Sequence, residues 1–262
     1  MKLDLLLALF LFAAVPAHAS TDFSAKKQET AAPLVQSLQT IPVGESLVYE
    51  VSWMGVPVGL GRLEVKGKET LGARAAYHVV AIAETNDFLS RIYPVHDEVH
   101  SWIDAETLQS LRFGKKISEG RYRAEEIVRY DASRRKGVQE SAKNGSRKEF
   151  DIAVPVQDVL SAFCWARRQT LVPGVFLKTT VNNGGKDYEL EIAVLGRQAK
   201  EMRGRGVVDT ILIEPKTRLK GILDKRGRVW VYLKNDASRI PVLVLFKTPF
   251  GPVVGALKSD MD

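Results

Sequence analysis

The densest cluster of chemically capable side chains is His96-Asp97-Glu98-Val99-His100. Imidazoles and carboxylates at short spacing are the ligands that a zinc-like ion takes. The pattern differs from the zinc-protease motif, because Asp97 follows the first histidine and the spacing reads as a strand. On a strand, His96, Glu98, His100 and Trp102 share one face, and Val95, Val99 and Ile103 share the other. Histidines four apart on a strand stand about 13 Å from each other. His96 and His100 therefore cannot reach one ion without a bulge. They are weak metal candidates, and the expectation is a solvated or lumen-facing strand face with no metal and no cofactor. His78, beside Tyr77, has no carboxylate near it in sequence and reads as a packed or satisfied histidine.

Other routes to catalysis are sparse. Cys164 is the one cysteine, which removes disulfides and paired-thiol sites. It sits between Phe163 and Trp165 and reads as a small buried apolar residue. Glu189 and Glu191 share a strand face, as paired glycosidase carboxylates would, but alternating charge is also how a solvated strand looks. No nucleophile elbow or phosphate-binding loop is present, and Gly204-Arg205-Gly206 reads as a turn. No catalytic residue is assigned.

Charge is the remaining chemical signal. Lys plus Arg number 38 against 31 Asp plus Glu, a net +7. Arg134, Arg135, Lys136, Arg203 and Arg205 are the candidate contacts for an anionic surface. No aromatic-interleaved basic motif points to nucleic acid. For an exported protein, lipid headgroups, lipopolysaccharide or acidic glycans are the natural counter-charge. The competing reading is that lysine and arginine simply blunt strand edges.

The elements that must position these residues are mostly strands. Residues 1–19 read as a signal peptide: Leu5 to Val15 is apolar, and Ala17-His18-Ala19 supplies a cleavage site. That run is too short to span a bilayer as a helix. The mature protein is expected to be soluble and periplasmic. Residues 20–44 read as a flexible leader, and 45–262 as a single β-rich domain. Leu47, Tyr49, Val51 and Trp53 alternate with polar residues, as do Tyr188, Leu190, Ile192 and Val194. Glu119-Gly120, Asn144-Gly145, Asn183-Gly184, Arg226-Gly227 and Asn235-Asp236 are turn signals at hairpin spacing. About a dozen largely antiparallel strands follow.

Val156 to Gln169 breaks the pattern with helical spacing, Asp158 near its start and Arg167-Arg168 at its end. It is apolar nearly all round, so it must be covered, plausibly within a curved sheet. The last strands are apolar on both faces: Trp230 and Tyr232 oppose Val229, Val231 and Leu233. Either packing covers the second face or it lines a cavity. Trp53, Trp102, Phe163, Trp165, Trp230 and Tyr232 are the candidate ligand-lining residues of such a cavity.

A pattern emerges from Asp158, Leu160, Ser161 and Arg167, followed by Lys220-Gly221, Val229-Trp230-Val231 and the run Asn235 to Val242. Near the start stand Tyr49-Glu50-Val51-Ser52-Trp53, then Gly55, Val58, Gly59 and Gly61. In order and spacing this resembles an exported Gram-negative family known as domain of unknown function 3108, over roughly residues 41 to 258. Ala237 and Ser238 depart from the second acid and second arginine usual there. The resemblance implies one exported β-rich domain and no known activity. By looser analogy it implies an antiparallel barrel or half-barrel, lipocalin-like or like the periplasmic lipoprotein carriers, with one apolar helix.

The functional expectation is a periplasmic, non-enzymatic binding or carrier protein for an apolar or amphiphilic envelope molecule. A structural or assembly factor acting through protein contacts is the alternative. An envelope glycan- or lipid-acting enzyme comes third.

Overall fold

The computed structural model describes residues 40–217 and 227–261. The signal peptide expected over 1–19, most of the leader and the Lys220-Gly221 pair lie outside the described residues. The first strands are β1 (Ser46–Trp53), β2 (Val56–Leu71), β3 (Arg74–Thr85), β4 (His96–Asp104), β5 (Ser110–Glu119), β6 (Tyr122–Asp131), β7 (Lys136–Ser141) and β8 (Arg147–Asp151). A one-turn helix α1 (Asp87–Ser90) separates β3 from β4. Then come α2 (Val159–Arg167), β9 (Phe176–Asn183), β10 (Lys186–Met202), β11 (Gly206–Thr217), β12 (Arg228–Lys234), β13 (Pro241–Thr248) and β14 (Gly251–Met261).

All fourteen strands form one sheet in the order β8-β7-β6-β5-β4-β3-β2-β1-β14-β13-β12-β11-β10-β9. Each strand pairs antiparallel with its sequence neighbour, and β1 pairs antiparallel with β14. The break falls between β8 and β9, where the α2 segment is inserted. The sheet is therefore a meander rolled up but not closed. Strand count exceeds the expected dozen, and the hairpin turns fall where Gly120, Gly145 and Gly184 placed them.

The open seam is bridged rather than laddered. Ser110 N–H donates to Val156 O at 3.1 Å, Gln157 N–H to Thr180 O at 2.9 Å, and Asn182 N–H to Gln157 O at 2.7 Å. The connecting segment thus pairs with β5 on one side and β9 on the other. Phe150 of β8 lies over Gly137, where an added Cβ would come within 2.4 Å of its ring, and over Gly185 at 3.0 Å. One aromatic side chain so ties β8 to the β9–β10 turn.

Inside the roll the side chains alternate as the period of two requires. Leu47, Tyr49, Val51, Leu63, Ile211, Ile213, Val231, Leu233 and Val244 are buried. Against them lies α2, with eight of its nine residues buried. The chain is already part of this core before β1, since Ile41 is 4% exposed.

Two polar anchors hold α2. At its start Asp158 is the N-cap of a capping box with Ser161: Oδ1 accepts from Leu160 N–H (2.8 Å) and Ser161 N–H (2.9 Å). Its Oδ2 accepts from Ser101 Oγ of β4 (2.6 Å) and Ser110 Oγ of β5 (2.5 Å). Burial pushes the Asp158 carboxyl above its ordinary range, against the pull of these four donors. At the other end Arg167 makes a bidentate pair with Glu45, both contacts 2.7 Å. It also donates to the carbonyls of Arg239 (3.1 Å) and Ser238 (3.2 Å). Burial pulls the Arg167 guanidinium pKa down, and the Glu45 carboxylate more than offsets it, leaving the value raised.

Two outcomes follow from these anchors. Arg167→Ala strands the Glu45 carboxylate in the interior and is expected to lower unfolding stability by about 3–5 kcal/mol in urea titration; Glu45→Leu/Arg167→Met is expected to recover most of it. Because the folded Asp158 pKa is raised, the unfolded chain gives up its proton first as pH rises. The Asp158 contribution is therefore largest below its ordinary 3.8 and declines as pH climbs through the folded value. Asp158→Asn, which keeps the cap, is expected to remove that decline from the urea midpoint measured against pH.

Candidate functional site

With α2 inside, the side chains free to meet a partner are those of the loops and the outward face. The loop joining β1 to β2 carries Trp53 (40% exposed), Met54 (63%) and Val56 (63%); the loop joining β13 to β14 carries Phe250 (65%). The two loops are tied together. Met54 N–H donates to Pro252 O at 2.8 Å, and Trp53 Nε1–H to Phe250 O at 3.0 Å. Gly251, at φ +110°, lies so close that a Cβ there would stand 2.6 Å from Met54 Cγ. Asn86, the cap of α1, donates from its backbone to Val58 O and from Nδ2 to Pro57 O (2.9 Å). That bond brings the α1 region, with exposed Phe88 and Ile92, to the same end of the sheet. Six large apolar side chains thus form a rim at one end of the roll.

Below the rim the outward face stays apolar. Residues opposed in an antiparallel pair share a face. Trp230 opposes Leu245, and Tyr232 opposes Leu243; these oppose Val254 and Ala256 in turn. All point away from α2, since Val229, Val231 and Leu233 occupy the inner positions. Cations stand over the stripe: the Arg228 guanidinium lies 4.7 Å from the Trp230 ring, and Lys200 Nζ 4.5 Å from Tyr232. Lys247 opposes Arg228 and is exposed. Arg228 also pairs with the buried Glu214 carboxylate at 2.6 Å.

A second polar group occupies the outward face of β2–β4. His78 Nδ1 is 2.7 Å from Glu69, His78 Nε2 is 3.0 Å from His100 Nδ1, and His96 Nε2 is 2.9 Å from Glu98. Trp102 stacks on His78 with centroids 4.5 Å apart and donates Nε1–H to Glu69 at 2.8 Å. Burial pulls the His78 imidazole below its ordinary value, with Glu69 opposing. Glu69 is held below the usual carboxylate range, first by the Trp102 hydrogen bond.

The expected site residues divide among several places. Phe163 and Trp165 lie on α2 within the core, Phe163 buried and Trp165 half-buried. Trp102, Trp230 and Tyr232 have the opposite strand parity to the residues packed on α2, so the six aromatic candidates do not line one interior surface; Tyr232 is nonetheless buried, and Trp230 is half-buried against the core. Trp53 is on the rim. His96 and His100 do not converge; His100 meets His78 across the β3–β4 pair instead. Among the described residues no three metal-ligating side chains are grouped to hold an ion. Arg134 and Arg135 are exposed in the β6–β7 turn, and Lys136 pairs with Asp151 at 2.9 Å. Arg203 and Arg205 lie in the β10–β11 turn, Arg205 donating to Lys258 O at 3.3 Å. Cys164 is buried, its thiol pushed up to about 12, and serves as core packing. The rim residues Met54, Val56, Phe88, Ile92 and Phe250 went unread, although Trp-Met-Gly-Val-Pro and Thr-Pro-Phe-Gly-Pro place large apolar groups where turns ordinarily carry polar ones.

Residues 48–258 match the family model described as Protein of unknown function (DUF3108). The chain belongs to this family. No curated protein matches it. Among solved structures it is similar to a crystal structure of a beta-barrel-like protein of domain of unknown function DUF1849 from Brucella abortus. That likeness has a TM-score of 0.53 at 12% identity, over 83% of this chain and 97% of that one. The shared property is the fold.

Three of the motif residues that carry the DUF3108 resemblance, Asp158, Ser161 and Arg167, turn out to be α2 anchors. Asp158 and Ser161 build the cap, and Arg167 reaches the carbonyls of the Asn235–Ile240 turn. Tyr49 Oη donates to Pro241 O at 2.9 Å. The departure at Ser238 leaves the anchor intact, because Arg167 and Arg168 use the Ser238 carbonyl (3.2 and 2.8 Å) rather than its side chain.

The tryptophans report this geometry. Acrylamide is expected to quench chiefly Trp53, so Trp53→Phe should remove the largest quenchable share. Iodide should quench more steeply than caesium, because guanidinium groups stand over Trp230 and over Trp102 (Arg112, 4.4 Å). Equal quenching by the two ions would contradict that placement.

Proposed function

We propose that this DUF3108 protein is a periplasmic, non-enzymatic binding protein that docks its apolar rim on an anionic amphiphile at an envelope lipid surface. The carrying observation is the rim itself. Trp53, Met54, Val56 and Phe250 are all 40% or more exposed on two loops joined by hydrogen bonds. Contiguous exposed apolar groups of this size mark interaction surfaces. Tryptophan, phenylalanine and methionine beside arginine and lysine suit the boundary between acyl chains and headgroups. Arg228 and Lys247 stand just behind the rim, where headgroup charge would lie.

A non-enzymatic role is supported by where the reactive groups go. Asp158 is committed to four donors, Glu45 to Arg167, and Cys164 to the core. The helix occupies the inner face that a lipocalin-like carrier would offer its cargo, which favours the rim and outward stripe as the binding surface.

The test is co-sedimentation with phosphatidylglycerol vesicles and, in parallel, phosphatidylcholine vesicles. Binding to the anionic vesicles, a blue shift of Trp53 emission and weakening by salt are expected. Met54→Asp/Phe250→Asp is expected to weaken binding by tenfold or more, since each acid would have to enter the apolar boundary. Undiminished binding of that variant, or none by the parent to either vesicle, would overturn the reading.

A further inference from the structure

The histidines of the outward β3–β4 face form a hydrogen-bonded pair in which one N–H can lie between the rings. His78 Nε2 and His100 Nδ1 face each other at 3.0 Å. The nitrogens on their far sides both face carboxylates: His78 Nδ1 lies 2.7 Å from Glu69 Oε1, and His100 Nε2, in a looser contact, lies 3.5 Å from Glu98 Oε2. A neutral imidazole carries one N–H. When each far nitrogen holds that hydrogen for its carboxylate, both facing nitrogens present lone pairs. Two lone pairs at this separation repel unless a positive charge lies between them.

A proton can supply that charge, and so can a metal ion. Imidazoles ligating metals commonly donate the other ring N–H to a carboxylate, which fixes ring and tautomer. Glu69 and Glu98 are already in those positions. The rings are also held. Trp102 stacks on His78 at 4.5 Å with 10° between planes, donates to Glu69, and is covered on its own ring by Arg112 at 4.4 Å. The side chains are 16% and 29% exposed, accessible from solvent yet walled on one side. Adjacent donors about 2.0–2.1 Å from an ion stand about 2.9 Å apart in a tetragonal shell and about 3.3 Å apart in a tetrahedral one. The rings need move by no more than a few tenths of an ångström.

We propose that His78 and His100 form a two-imidazole chelate for a divalent transition cation, with copper(II) held more tightly than zinc(II). The protein supplies two nitrogens and water completes the shell, consistent with the lack of a three-ligand group among the described residues. Nitrogen-and-oxygen tetragonal coordination and the Irving–Williams order both favour copper(II). His96, bonded to the other oxygen of Glu98, stays outside the chelate.

The experiment is titration of the purified protein with copper(II), followed by visible absorption and electron paramagnetic resonance. One ion per chain and superhyperfine splitting from two imidazole nitrogens are expected. His78→Gln and His100→Gln should each weaken binding at least tenfold. Glu69→Gln should weaken it by about tenfold through the lost ring orientation, and His96→Gln should leave it unchanged. The spectrum of the parent decides the question even where a variant misfolds, and circular dichroism separates the two cases. Absence of imidazole coupling, parent-like affinity in both His78→Gln and His100→Gln, or loss confined to His96→Gln would overturn the assignment.

Discussion

The Arg167–Glu45 pair, 2–3% exposed, is the constraint on which the architecture rests. A charged pair withdrawn from water stabilises a fold only when every remaining donor and acceptor is met. Here Arg167 meets that condition by collecting the Glu45 carboxylate and two carbonyls of the Asn235–Ile240 turn. It thereby fastens the residue before β1 to the turn before β13. Those elements lie on either side of β14 in the sheet. At the far end of the same helix, Asp158 fastens β4 and β5 through two serine hydroxyls. A nine-residue helix so joins the two halves of a sheet whose own hydrogen bonds leave β8 and β9 apart. Closure by a ladder would require β8 to meet β9 directly, and the helix-bearing connection occupies that gap.

Much of this was legible because strands announce themselves by parity. The Leu47–Trp53 and Tyr188–Val194 alternations, the glycine turns and the mostly antiparallel rolled sheet appear as expected. Of the stretch expected to be helical, Val156 to Gln169, the helix takes Val159–Arg167, while Val156 and Gln157 bridge the seam. What parity leaves open is which face is which. Trp230 and Tyr232 read as apolar on a strand apolar on both sides, and only the rolled sheet puts Val229 and Val231 against the helix. His78 and His100 lie 22 residues apart, and no local spacing reveals a contact made by the β3–β4 register. The expectation that His96 and His100 stand too far apart followed from the rise per residue alone and needed no tertiary information. Rim residues such as Phe250 escaped for a different reason: a large apolar residue in a turn gives no periodic signal, and only burial distinguishes it from core.

That three of the motif residues are anchors bears on what membership of DUF3108 means. Asp158, Ser161 and Arg167 are used up in holding a helix inside a sheet. A sequence pattern built from such residues identifies a way of folding. It carries the same kind of information as the structural likeness to the DUF1849 protein. The residues that the anchors leave free lie on loops and on the outward face, where the fold tolerates change, and Trp53 and Trp230 of the pattern are among them. Gly59 is an instructive exception: a Cβ there would stand 2.1 Å from Glu84 O, so it is fixed by β2–β3 approach rather than by any partner.

The two surfaces described here are physically independent, and their independence follows from the same anchor. With α2 packed against the inner positions, the outward faces of β2–β4 and of β11–β14 each carry a side-chain order of their own. The first face carries imidazoles and carboxylates organised by Trp102, a polar network in which each ring nitrogen has a partner. The second carries aromatics and aliphatics under Arg228 and Lys200 and ends in the exposed rim. Polar order on one face and apolar packing on the other are distinct: the imidazoles and carboxylates of the first form their own hydrogen-bonded network, while Tyr232, Trp230 and Leu243 of the second pack against the main core cluster. A fold that needed only to be stable would put alternating charge on both. The departure from that pattern, in two chemically opposite directions on a single sheet, is the reason both proposed binding surfaces are placed on the outside.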